Sequence, residues 1–216
     1  MPVQVKICGI NSAAAADAVL RAGADFGGLV FFPKSPRHLD LEQGRALAEL
    51  MRGRLRLAAL VVDESDDALE AIANAVRPDF FQLHGGEAPE RAAAIRSRFG
   101  IPLIKAISIA GPDDFAKAAA YGGVADHLLF DAQPAADATR PGGHGAAFDW
   151  QLLQGRSFAQ PWFLAGGLTP ENVARAIAVS GAAMVDVSSG VERAPGVKSE
   201  ARIADFIVAA KQQVRA

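Results

Sequence analysis

A single cysteine among 216 residues leaves no disulfide possible within the chain, and the N-terminus lacks the pattern of a secretory leader. A reducing, cytoplasmic compartment is therefore expected. That cysteine and four scattered histidines show no metal-ligand spacing, so no metal is expected. No apolar run approaches the roughly 18 residues of a membrane helix. Charge of one sign is also missing: 22 Lys and Arg stand against 24 Asp and Glu, a net charge of −2. With no basic stripe or polybasic segment, neither nucleic acid nor a membrane surface is an expected partner. There is no G-x-G-x-x-G turn after the first apolar run, which weighs against a doubly wound open sheet.

What is present is a regular alternation. Half of the residues are hydrophobic and 21% are charged, the balance of a globular chain rather than a disordered one. Short apolar runs at Val3–Cys8, Phe26–Phe32, Leu57–Val62, Phe80–His84, Leu103–Ile109, His127–Asp131, Pro161–Ala165 and Ala183–Val187 predict strands. Amphipathic stretches between them predict helices over Ser12–Ala22, Asp40–Arg52, Asp66–Val76, Pro89–Phe99, Pro112–Tyr121, Pro170–Val179 and Ser199–Val214, with a short helix near Asp149. A glycine-rich stretch from Ala135 to Ala147 breaks the rhythm. Eight β–α units of about 27 residues fit a strand, a helix and two loops each. The strands are near-continuous apolar runs, as in a parallel sheet covered on both faces. The expected fold is a single-domain α/β (β/α)₈ TIM barrel over residues 1–216, with a doubly wound sheet as the alternative.

In such a barrel the chemistry gathers at the C-terminal ends of the strands. Those ends carry Lys6-Ile7-Cys8-Gly9, Ser35-Pro36-Arg37 after strand 2, Gln82-Leu83-His84-Gly85, Asp131, Ala165-Gly166-Gly167 and Asp186-Val187-Ser188-Ser189-Gly190. Strand 5 contributes Lys105. Free cysteine is more often an inert buried thiol than a reactive one. Here Cys8 shares a strand face with Lys6, whose ammonium is expected to favour the thiolate and lower its proton affinity. A thiolate so placed can act as nucleophile or base. Asp131 ends the apolar run Leu128-Leu129-Phe130, where desolvation would keep a fraction protonated and suit a general acid. A lone aspartate is otherwise most simply a cap or a surface carboxylate.

Gly166, Gly167, Ser188, Ser189 and Gly190 offer backbone N–H groups and hydroxyls on two consecutive loops. That is the place where barrels hold phosphate, although glycines serve tight turns equally well. Arg37 can clamp a carboxylate with its forked donors; alone it would read as a solvated loop arginine. His84 by itself reads as a satisfied strand-end histidine. Its position and that of Asp186 place both among the expected substrate-binding residues. His38 and His127 read as structural or solvent-facing, and His144 has no clear role.

Together these residues resemble the phosphoribosylanthranilate isomerases of tryptophan biosynthesis. The resemblance runs from strand 1 to strand 8. Its markers are Lys6-Ile7-Cys8-Gly9, Phe31-Phe32-Pro33-Lys34-Ser35-Pro36-Arg37, Gln82-Leu83-His84-Gly85 and Leu129-Phe130-Asp131. Further on come Gly142-Gly143-His144-Gly145, Phe148-Asp149-Trp150, Leu164-Ala165-Gly166-Gly167-Leu168 with Pro170-Glu171-Asn172-Val173, and Asp186-Val187-Ser188-Ser189-Gly190-Val191-Glu192. The resemblance implies an Amadori rearrangement of N-(5-phosphoribosyl)anthranilate, with Cys8 as general base and Asp131 as general acid. It implies that Arg37 meets the anthranilate carboxylate and that the loops after strands 7 and 8 hold the phosphate. No cofactor is implied; the partner is a small-molecule substrate, and the chain is expected as a monomer or homodimer. Two departures stand out: His144 where the family has threonine, and Val197-Lys198-Ser199 where it more often shows Lys-Asp. A histidine-pathway aminoaldose isomerase, whose family uses two aspartates, is disfavoured by Cys8. A catalytically silent phosphate-binding barrel is disfavoured by Cys8 and Asp131 together.

Overall fold

Local signals set the helices. The Ser12 hydroxyl accepts the N–H of Ala15 and starts α1 (Ala13–Ala22), which Gly23 ends in the left-handed region at φ 78°. Asp40 and Gln43 form a reciprocal capping box at the start of α2 (Leu41–Met51). Ser65 caps α3 (Asp66–Val76), a proline opens α4 (Pro89–Phe99), and Ser199 caps α7 (Glu200–Lys211). Each cap satisfies amide donors that the first helical turn leaves without a partner.

Between the helices run β1 (Gln4–Cys8), β2 (Phe26–Val30), β3 (Arg56–Val61), β4 (Phe80–Leu83), β5 (Leu103–Ile109), β6 (His127–Ala132), β7 (Trp162–Leu164) and β8 (Met184–Val187). In this computed structural model, which describes residues 2–133, 142 and 147–213, the eight strands pair in chain order and close into a parallel barrel, β8 returning to β1. The expected TIM barrel is the observed fold, and the open sheet is excluded by the β8–β1 pairing. No helix among the described residues is long and apolar enough to cross a membrane.

Alternate strand residues face opposite sides. One set, including Phe26, Phe80, Ile104, Leu129 and Phe163, fills the barrel interior as its own cluster. Phe26 and Phe163 meet edge to face with centroids 5.1 Å apart, a favoured aromatic geometry. Above them Cys8, Val30 and Leu60 form a second interior layer. A larger cluster lies between the strands and the helices. Interior packing of this kind makes the barrel a filled core and leaves only its mouth for chemistry.

Three segments depart from expectation. Pro112–Phe115 is a 3₁₀ turn followed by the short helix α5 (Ala116–Ala119) rather than one helix to Tyr121, because Asp114 draws the amides of Ala110 and Gly111 onto its carboxylate and tightens the turn. The helix expected from Pro170 begins only at Val173, as α6 (Val173–Ser180). The Asn172 side chain ties Thr169 N and Gly167 O into a turn ahead of it. Where a loop was expected after β8, residues fold into a hairpin of β9 (Glu192–Ala194) and β10 (Val197–Lys198). Its turn needs Gly196, at φ 78°. The short helix near Asp149 is a single 3₁₀ turn, Trp150–Leu153, capped by Asp149. Of the glycine-rich stretch only Gly142 and Ala147 lie among the described residues; His144 lies outside them.

Candidate active site

Strand register brings the first group of side chains together. Lys6 on β1 pairs in register with Asp186 on β8, and its Nζ lies 2.8 Å from Asp186 Oδ1 with Lys6 fully buried. Two residues on, Cys8 faces the same side and pairs in register with Gly28 of β2. A Cβ at Gly28 would sit 2.9 Å from Cys8 Sγ and 3.2 Å from Lys6 Nζ. The missing side chain on β2 is what leaves room for the thiol and the ammonium.

The electrostatics correct one expectation. Lys6 does pull the Cys8 thiol toward ionisation, as do Lys198 and Arg37, but burial pushes the thiol's pKa up by more, and Asp186 adds to the rise. The net shift is upward, because desolvation of a thiolate in a closed barrel outweighs a cation already neutralised by Asp186. For Lys6 the balance is the other way. Burial pulls its pKa down, yet Asp186 and Cys8 raise it further, so the ammonium stays charged.

Asp131 stands on β6, across the mouth. Its Oδ1 accepts the amide of Ala132 at 2.9 Å, and its Oδ2 lies 3.3 Å from Nε2 of His84, the residue that follows β4. The His84 Nδ1 in turn contacts Gln82 Nε2 at 3.0 Å. Two backbones press against this pair. A Cβ on Gly142 would come within 2.7 Å of His84 Nε2 and 2.8 Å of Asp131 Oδ2, and one on Gly166 within 2.6 Å of Ala132 N. Gly142, from the glycine-rich stretch, thus covers the carboxylate.

Arg37 is no solvated loop residue. Its side chain is 5% exposed and grips Glu192 with both Nε and Nη2, at 2.7 and 2.8 Å. Glu192 also accepts Lys198 Nζ at 2.8 Å across the β9–β10 hairpin. Lys198 continues to the carbonyl and hydroxyl of Ser188, and the Ser188 hydroxyl donates to the Cys8 carbonyl at 3.1 Å. Gly9 permits this approach, since a Cβ there would strike Arg37 Cδ at 2.4 Å. The cluster holds two cations and one carboxylate, so a buried positive charge remains unbalanced beside Cys8. Arg37 Nη1 makes no hydrogen bond among the described residues. An anionic ligand group would complete this arrangement.

The loops after β7 and β8 meet. Gly190 packs so closely on Leu168 that a Cβ would fall 1.8 Å from its carbonyl oxygen. Gly166 and Gly167 both have positive φ, at 80° and 63°, and their amides make no hydrogen bond among the described residues. Those N–H groups are available to an anion. Ser189 opens a 3₁₀ turn, Ser189–Val191, and the Ser188 hydroxyl is occupied as described.

The structure thus gathers Cys8, Asp186, Arg37 and Ser188 on one side of the mouth and His84 with Asp131 on the other. Lys105 does not join them. It points out of the barrel, where its Nζ meets Glu87 Oε2 at 2.7 Å and Gly85 O at 2.8 Å, because its neighbours Ile104 and Ala106 take the interior face. Sequence reasoning missed Glu192, Lys198 and Gln82 as site residues. Glu192 stood at the end of the strand-8 motif, and Gln82 shares a strand face with His84, so both carried a faint signal; Lys198 sat in a segment expected as loop.

A family model described as N-(5'phosphoribosyl)anthranilate (PRA) isomerase matches residues 5–209. The N-(5'-phosphoribosyl)anthranilate isomerase of Rhodopseudomonas palustris is 51% identical over 211 residues, spanning 98% of this chain and 99% of that protein. Among solved structures, the phosphoribosyl anthranilate isomerase of Thermotoga maritima superposes with a TM-score of 0.88 at 36% identity, covering 98% of this chain and 100% of that one. A phosphoribosyl anthranilate isomerase in complex with reduced 1-(o-carboxyphenylamino)-1-deoxyribulose 5-phosphate gives a TM-score of 0.84 at 34% identity, with coverage of 98% and 100%. A match across nearly the whole chain, on a barrel whose mouth holds a buried thiol, a carboxylate and an unbalanced positive charge, means that this chain belongs to the N-(5'-phosphoribosyl)anthranilate isomerase family.

Proposed function

We propose that the protein isomerises N-(5-phosphoribosyl)anthranilate to 1-(2-carboxyphenylamino)-1-deoxyribulose 5-phosphate, a step of tryptophan biosynthesis, with Cys8 as general base and Asp131 as general acid. Asp131 protonates the furanose ring oxygen, and the ring opens to a Schiff base. Cys8, as thiolate, removes the proton from C2 of the sugar. The resulting enolamine gains a proton at C1 and gives up its C2 hydroxyl proton to become the aminoketone; the proton held by Cys8 is lost to solvent and Asp131 regains one, which resets the pair. Nothing is oxidised or reduced overall, and no group leaves, so the acid–base pair suffices.

The observation that carries this reading is the placement of the two groups at opposite sides of one barrel mouth, each fixed by its own neighbours. Cys8 lies beside Lys6, which with Lys198 and Arg37 draws the thiol toward ionisation against the larger effect of burial. Asp131 lies against His84 and the Ala132 amide. The surplus positive charge at Arg37 and Lys198 suits the anthranilate carboxylate, and the amides of Gly166 and Gly167 suit the phosphate. Asp186 serves the site through Lys6.

The test follows substrate fluorescence. The parent should consume N-(5-phosphoribosyl)anthranilate; Cys8→Ala and Asp131→Asn should each lose about 10²–10⁴ in turnover with the fold intact by circular dichroism. Parent-like turnover in either variant would remove that residue from its role.

A further inference from the structure

One buried side-chain acceptor of the mouth has not been accounted for among the described residues. Gln82 is fully buried inside the barrel, and its Oε1 has no hydrogen-bond partner among the described residues. An orphaned buried acceptor is costly, and a methionine of similar length would avoid that cost. The hydrogen bond its side chain does form is to His84 Nδ1, at 3.0 Å. Gln82 and His84 sit at i and i+2 of the β4 path, so both project to the same face.

A carboxamide N–H offered to Nδ1 requires a lone pair there. The neutral imidazole then carries its proton on Nε2. That nitrogen faces Asp131 Oδ2 at 3.3 Å, while the Ala132 amide already serves Oδ1. An ionised Asp131 would then have the Ala132 amide bonded to one oxygen and the imidazole N–H 3.3 Å from the other. With the opposite tautomer, two lone pairs would face each other across that gap.

We propose that Gln82 is a positioning residue for the reaction: it locks His84 in the Nε2–H tautomer, so that the imidazole orients Asp131 and steadies the carboxylate left after proton transfer. The proposal rests on the reading of Asp131 as the general acid. Gln82 touches no reacting atom; it acts through His84. The Gly142 backbone lies against the same pair, where a side chain would strike both groups.

The test is ¹⁵N NMR of histidine-labelled full-length protein, with the His84 signals assigned by their loss in His84→Asn. The parent should show His84 protonated on Nε2 and bare on Nδ1. Gln82→Glu offers Nδ1 an acceptor instead and should convert His84 to the Nδ1–H form. Its kcat should fall about 10- to 100-fold, as for loss of a hydrogen bond to a charged group, with KM within about twofold. Gln82→Met, uncharged and close in volume, should mix the tautomers and lower kcat less; it decides the matter if Gln82→Glu does not fold. An Nδ1–H tautomer in the parent, or parent-like kcat in the variant whose tautomer has changed, overturns the proposal. Failure of the underlying reading looks different: Asp131→Asn would keep full turnover, whatever the tautomer of His84.

Discussion

Replacing Glu192 by alanine isolates the interaction that holds the Arg37 side of the site. The carboxylate accepts two bonds from the Arg37 guanidinium, one from Lys198 Nζ and one from the Gly196 amide. All three charged side chains are 5% exposed or less. In Glu192→Ala, Arg37 loses its only carboxylate partner among the described residues, while Lys198 keeps the Ser188 oxygens. Removing one member of a buried pair typically costs about 3–5 kcal/mol, because the opposite charge stays buried without compensation. Here two cations remain and repel. Burial already lowers the Lys198 pKa from its ordinary 10.5, with Glu192 the main opposing influence; without Glu192 the ammonium sheds its proton more readily, which caps the loss near that range. The sign with pH follows. A lysine depressed in the folded state binds fewer protons there than in the unfolded chain, so stability rises with pH through the interval between the two pKa values. Urea denaturation followed by circular dichroism should therefore show a deficit of about 3–5 kcal/mol at neutral pH that shrinks toward alkaline pH. Adding Lys198→Met should recover part of it. A loss under about 1 kcal/mol, the level of an exposed pair, or strictly additive effects of the two substitutions, would refute the reasoning.

The lone cysteine makes the thiolate absorbance in the ultraviolet a direct reading of Cys8. In the parent it should grow in only above the ordinary cysteine range; Asp186→Asn should shift it to lower pH and Lys6→Met to higher pH, following the direction of each charge. Equal titration curves in all three proteins would discard the electrostatic account. Gly190→Ala must part the β7 and β8 loops, since its Cβ would fall 1.8 Å from Leu168 O. We expect a loss of about 1–3 kcal/mol in thermal or urea unfolding and a raised KM, whereas Ser189→Ala should leave both nearly unchanged. Arg37→Met should raise KM with kcat largely kept, because a carboxylate contact exists in ground and transition states alike; a large fall in kcat at unchanged KM would contradict that role.

The helix caps at Ser12, Asp40, Ser65 and Ser199 and the eight apolar runs are local signals, readable from neighbouring residues, and they specified the barrel without reference to the rest of the chain. Strand-end position likewise singled out Cys8, Asp131 and the glycines at 166, 167 and 190, since a parallel barrel puts all its strand ends at one mouth. The hairpin of β9 and β10 escaped because two- and three-residue strands are too short to show a period of two. Partnership was a matter for tertiary structure. Lys6 and Asp186 lie 180 residues apart, and Arg37 and Glu192 lie 155 apart; only barrel closure and the hairpin bring them into contact. The direction of the Cys8 shift was decided there too. Sequence showed the lysine that favours the thiolate, but the larger opposing influence is burial, and how much water a side chain loses is a property of the closed barrel rather than of its neighbours in the chain.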